Sequence, residues 1–130
     1  MEKSITVYAV SDMTGETVAR VVRAASAQFS EGHVHIKVLS NATSAEQVVD
    51  FVRKQNHAEG TCAVFHTILS KRVREDLRTA LQTLRIPSID LLGSTAHVMA
   101  DLLDERPQRK PGLTIDDGAE PEVFDLANER

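Results

Sequence analysis

Seven consecutive residues, Ser11-Asp12-Met13-Thr14-Gly15-Glu16-Thr17, bring together three hydroxyls, two carboxylates and a glycine. They follow the apolar run "VYAV" and precede an apolar pattern at helical spacing. Such a junction suits phosphate. Gly15 lets an anion approach the backbone closely, and the first N–H groups of a helix carry partial positive charge. The hydroxyls of Ser11, Thr14 and Thr17 can donate hydrogen bonds. The same residues admit a second reading, with Thr14 as a helix N-cap and Gly15 relieving a tight turn. Asp12 and Glu16 would oppose bound phosphate unless they meet a metal or a proton-bearing group. On the residues alone, both readings stand.

Two further loops carry candidate groups. "HTILS" supplies His66 and Thr67, and "LLGST" supplies Gly93 and Ser94. His66 ends an apolar run and could offer a proton to a phosphate or be a buried histidine bonded to backbone. Asp90 lies inside an apolar run, where a carboxylate needs a partner, so it orients a loop or binds a cation. His33 and His35 share i, i+2 spacing but lack an acidic or cysteine partner nearby, so no metal site is assigned. His57 and His97 read as surface residues, and Cys62 as core. Lys71, Arg72, Arg74, Arg78 and Arg85 form a basic helix face, either solvated or facing an acidic partner.

Four strand-then-helix units position these residues. "SITVYAV" (Ser4 to Val10) is the β-branched run of a strand covered on both faces. The helix after it, about Gly15 to Phe29, places Val18, Val21, Val22, Ala25 and Phe29 on one stripe. "HVHIKVL" alternates apolar and polar residues, as an edge strand does. Thr43 and Glu46 match a capping box for a helix carrying Val48, Val49 and Val52 and ending near Asn56. "TCAVFHT" is a third strand. Its helix turns Leu69, Val73, Leu77, Leu81 and Leu84 inward. "IPSIDLL" is a fourth strand, with Pro87 suited to a sheet edge. A last helix, about Ser94 to Asp104, would bury Val98, Leu102 and Leu103. Alternating units imply a three-layer α/β sandwich with a four-stranded parallel sheet, flavodoxin/Rossmann-like, in the order 2-1-3-4. The domain is expected over 1–104, followed by a loosely ordered, proline-containing acidic tail over 105–130. The switch point of such a sheet lies between strands 1 and 3, beside the Ser11–Thr17 loop.

Bulk properties narrow the function classes. A net charge of −4 gives no global argument for nucleic acid or an anionic membrane. No apolar run approaches the roughly 18–20 residues of a membrane helix. One cysteine among 130 residues fits a reducing, cytoplasmic setting. Four Phe, one Tyr and no Trp leave little to stack on a flavin or on bases.

Two resemblances follow from these motifs. The first is to the flavodoxin phosphate loop, Thr/Ser-x-Thr-Gly-x-Thr. Thr14, Gly15 and Thr17 fit it, and Asp12 replaces the first hydroxyl. The scarcity of aromatic residues weighs against a flavodoxin-like FMN protein. The second resemblance spans residues 4–114. "VYAVSDMTGETVARVVRAASAQF" resembles the N-terminal signature of the bacterial kinase/pyrophosphorylase family, the regulatory proteins of pyruvate, phosphate dikinase and phosphoenolpyruvate synthase. Met13 stands where that signature has serine. "AVFHTILSKRVREDLRTALQTLRIPSIDLLGS" is similar to the family block that ends in Asp-Leu-Leu-Gly-Pro, with Ser94 in place of the proline. "RPQRKPGL" resembles the proline-bearing block after it.

This resemblance implies a reaction: ADP-dependent phosphorylation of a threonine on the target enzyme, and its reversal by phosphate with release of pyrophosphate. ADP and phosphate are therefore the implied ligands, and the target dikinase or synthase the implied partner. The family's P-loop-like motif lies in a C-terminal half, and these 130 residues contain neither it nor a Walker sequence. The expectation is a truncated or degenerate relative, or one half of a split protein that works with a separate P-loop-bearing half and is inactive alone. A non-catalytic phosphate-binding or dimerisation module is the alternative, and a homodimer is compatible with two open sheet edges.

Overall fold

In the computed structural model, residues 3–55, 57–58, 60–108, 122 and 124 are described. Most of the expected tail therefore lies outside the described residues. The chain runs β1 (Ile5–Val10), α1 (Glu16–Ser26), β2 (Val34–Leu39), α2 (Ala45–Lys54), β3 (Cys62–His66), α3 (Lys71–Thr83), β4 (Ser88–Asp90) and α4 (Gly93–Leu103). All pairings are parallel and the order is β2-β1-β3-β4, as the alternating units require. β1 lies between two neighbours: Val10 pairs with Leu39 on one side and His66 on the other. Among the described residues no helix is long and apolar enough to cross a membrane.

Period-two alternation sends successive β1 side chains to opposite layers. Tyr8 and Val10 enter a core with Val48, Val52, Val64, Leu77 and Leu81 under α2 and α3. Val7 and Ala9 enter a second core with Val18 and Val22 under α1. The Tyr8 hydroxyl, at full burial, is hydrogen-bonded to His57 Nε2. His57 is thus half-buried and tied to the central strand, not the surface residue its sequence context suggested. Cys62 packs against the first core, and burial pushes its thiol above its ordinary pKa, so it stays protonated.

Several expected inward residues point outward. α1 stops at Ser26, so Phe29 falls in the following turn at 66% exposure, and Val21 and Ala25 miss the buried stripe of Val18, Ala19 and Val22. Leu84, at the C-cap of α3, is exposed. The capping box of α2 is Ser44 with Gln47, one residue later than expected; Gln47 Oε1 also accepts from Thr43 N–H at 2.8 Å. α4 departs furthest. It has no buried residue, and Val98, Met99, Leu102 and Leu103 are all exposed. Its half-buried positions are small: Gly93, Ala96 and Ala100. Their i, i+3, i+7 spacing gives α4 a narrow inner face that leaves its large side chains outside.

This distribution of burial sets the stability response. Leu77→Ala is expected to cost about 3 kcal/mol, through lost transfer energy and a residual cavity. Leu102→Ala, at a position 83% exposed, stays within about 0.5 kcal/mol. Urea denaturation of both variants measures the difference.

Candidate phosphate site

The Ser11–Thr17 loop leaves β1 at the switch point and is held from two sides. Ser11 is buried; its N–H donates to Leu39 O at 2.9 Å and its Oγ accepts from Met13 N–H at 2.9 Å. Asn41 N–H donates to Met13 O, and Ala42 N–H to Ser11 O, tying the loop to the segment after β2. On the other side Asp12 Oδ2 accepts from Leu69 N–H at 3.0 Å. The Asp12 carboxylate, which threatened a bound anion, is engaged in joining the loops after β1 and β3.

At the start of α1 the cap falls on Gly15 and not on Thr14. Gly15 has φ 89° and ψ 8°, a left-handed conformation, and no side chain caps the helix. Thr14 Oγ1 accepts from Glu16 N–H at 3.5 Å. The N–H groups of Thr17 and Val18 lie in the first turn, where no helical carbonyl reaches them. The other helices are served differently. Ser44 and Ser70 side chains accept from Gln47 and Val73 N–H. Asp90 Oδ1 accepts from Gly93 N–H at 2.7 Å at the start of α4. Gly15 also has a packing reason: a Cβ there would lie 2.7 Å from Val38 Cγ1. Both the turn and the close approach exclude a side chain. Glu16 and Thr17 are exposed at the loop's outer edge.

His66 and Thr67 are buried at the C-terminal end of β3, and Thr67 N–H donates to Val10 O at 3.1 Å. His66 Nδ1 accepts from Ile68 N–H at 3.3 Å, which leaves the proton of the neutral ring on Nε2. Burial lowers its pKa first; Asp90 raises it, Arg74 lowers it and Asp12 raises it. The fold therefore brings His66 and Thr67 beside the Ser11–Thr17 loop. Gly93 and Ser94 line a neighbouring cleft with Leu69, Arg74 and Asp90.

That cleft contains what the sequence did not single out. Arg74 was expected on the outward face of α3, yet it is half-buried and its Nη1 donates to Asp90 Oδ2 at 3.0 Å. The need of Asp90 for a partner was the available signal, and Arg74 is one helical turn before the inward Leu77. A Cβ on Gly93 would lie 2.0 Å from Asp90 Oδ2 and 2.1 Å from Arg74 Nη1, so Gly93 makes room for the ion pair. His97 is exposed, 3.5 Å from Asp101. His35 is exposed and His33 half-buried. Among the described residues no group of three or more His, Cys, Asp or Glu side chains could hold a metal ion.

A family model described as kinase/pyrophosphorylase matches residues 7–125. The chain belongs to the kinase/pyrophosphorylase family. Its curated relatives include a pyruvate, phosphate dikinase regulatory protein of Citrifermentans bemidjiense, 29% identical over 88% of this chain and 42% of that protein. Another, from Listeria welshimeri, is 35% identical over 82% of this chain and 38% of its own length. A third, from Geobacter sulfurreducens, is 32% identical over 87% of this chain and 42% of its own length. This family member spans about two fifths of the length of these relatives, in their N-terminal part.

Two outcomes follow from the local geometry. Gly15→Ala is expected to cost about 1–2 kcal/mol from the left-handed backbone, with a further cost from the contact with Val38. Only the contact part is recovered in the Gly15→Ala/Val38→Ala pair, which a double-mutant cycle of denaturation energies reads. His66 gives a pH response. Because its folded pKa is lowered, the unfolded state binds more protons between the two values. Stability is full above the unfolded value of about 6.5 and declines as pH falls through it. His66→Gln is expected to flatten that decline in melting temperature between about pH 7 and 5.

Proposed function

We propose that this chain is the phosphate- or nucleotide-holding N-terminal domain, over 1–104, of a cytoplasmic regulator of pyruvate, phosphate dikinase or phosphoenolpyruvate synthase. The regulator transfers a phosphoryl group from ADP to a threonine of the target and removes it by phosphorolysis. The carrying observation is the start of α1. Within a chain of this family, a loop of family-like sequence leaves Thr17 and Val18 N–H without a side-chain cap at the exposed start of α1. Those N–H groups and the Thr14 and Thr17 hydroxyls are the donors for a phosphate, the helix N-terminus supplying partial positive charge. Asp12 positions the loop through Leu69, and Ser11 through Met13.

Phosphoryl transfer also needs a cradle for the nucleotide phosphates and a cation close to them. In this reading a P-loop-bearing C-terminal polypeptide supplies them, and the chain alone binds ligand without transferring phosphate. A second reading, a non-catalytic phosphate-binding or dimerisation module, draws its support from the exposed apolar side of α4.

Calorimetric titration with ADP, phosphate and pyrophosphate tests the site. At least one is expected to bind below millimolar concentration. Thr14→Val/Thr17→Val weakens it roughly a hundredfold, through two lost hydrogen bonds to a charged group. Glu16→Gln strengthens it roughly two- to five-fold by removing a carboxylate from the helix start. Absence of binding by all three ligands, or indifference to these substitutions, defeats the site assignment.

A further inference from the structure

A second cleft, of about 570 Å³, lies between α3 and the start of α4 and is lined by His66, Arg74, Glu75, Arg78, Asp90 and His97, with Ser88 at the strand end. Its central ion pair is asymmetric. Asp90 is spent on three donors: Arg74 Nη1 at 3.0 Å, Gly93 N–H at 2.7 Å and Leu92 N–H at 3.2 Å. Its negative charge is met by a full cation and by the positive end of a helix. Arg74 is not spent in the same way. Only Nη1 is engaged, and Nε–H is buried without an acceptor. A buried donor left unpaired in a native protein calls for a partner the protein itself does not provide. Among the described residues Nη2 makes no hydrogen bond within the protein either, so the guanidinium of this cleft-lining residue keeps donors that an oxyanion can take up.

The surrounding groups add donors of the same kind. Arg78 follows Arg74 by one helical turn, lines the same cleft and is exposed, with no ion pair among the described residues. His66 presents its Nε2 proton, because Nδ1 accepts from Ile68. Glu75 is the cleft's other carboxylate and is exposed at its margin.

We propose that this α3–α4 cleft is an oxyanion site for a phosphate or phosphoryl group, held by Arg74 and Arg78 with His66 as a neutral donor. It is separate from the α1 site and does not depend on it. The two sites use different elements, so variants distinguish them.

The experiment follows inorganic phosphate and, in a second arm, ADP by calorimetry on the whole chain. Histidine-ring ¹H–¹⁵N spectra locate the bound anion. Arg78→Gln, at an exposed position, is expected to weaken binding roughly tenfold, and Glu75→Gln to strengthen it roughly two- to five-fold. The His66 and His97 ring signals shift on saturation, while Thr17→Val leaves the effect of Arg78→Gln intact. A response to phosphate assigns a free anion; a response to ADP alone assigns the phosphoryl end of a nucleotide. Circular dichroism confirms that the variants fold. The proposal is overturned if neither ligand binds. It is equally overturned if affinity is the same in wild type and Arg78→Gln with the histidine signals unmoved, even where Thr14→Val/Thr17→Val abolishes binding at α1.

Discussion

Everything in this fold is hung on the enclosure of β1. The strand has a neighbour on each side and a helical layer on each face, and Val7 to Val10 are at most 4% exposed. A strand in that position can carry no charge and can spare no backbone donor, so its polar chemistry is pushed to the residues just past its end. Ser11 and Asp12 are where that chemistry begins. Their hydrogen bonds run outward to the segments after β2 and β3, so three loops are positioned from one buried strand.

Charge at the C-terminal end of the sheet is arranged by pairing each carboxylate with something that offsets it. Asp12 takes a backbone N–H from the β3–α3 loop. Asp90 takes an arginine and a helix start. With both acids occupied, the surface between them is less hostile to anions than its composition implies. His66 sits among Asp12, Arg74 and Asp90, and its burial keeps the ring neutral, which suits a donor that does not add charge. Glu16, at the start of α1, and Glu75, lining the α3–α4 cleft, are exposed carboxylates, and neither serves to hold the loops.

The architecture was legible because it rests on patterns with strong physical causes. The unbroken β-branched run of β1 and the alternation of β2 reported their depth in the sheet, and with them the strand order. The Ser11–Thr17 loop was legible from residue type and position. What escaped was decided by neighbours distant in sequence. Nothing local in Asp12 names Leu69, 57 residues away, as its donor. Arg74 sat in a run of cations and was read with them, although its neighbour Asp90 drew it inward. Tyr8 and His57 are 49 residues apart, and a histidine in a polar loop resembles any solvated one. The α4 expectation failed for another reason. Hydrophobicity reports what a helix can bury, while its small inner residues decide which side faces the fold.

Strand order also bears on the timing of synthesis. β1 is made before the other three strands of this sheet, yet its second hydrogen-bonding edge is filled only when Cys62–His66 exists. Until then a nascent chain carries an apolar strand paired at most with β2, its far edge open to any other extended segment. The centre of the sheet is therefore completed late, and its formation waits on non-local pairing, the slow kind. For the ribosome and its attendant chaperones, the vulnerable interval of this protein runs from the emergence of Tyr8 to the emergence of His66.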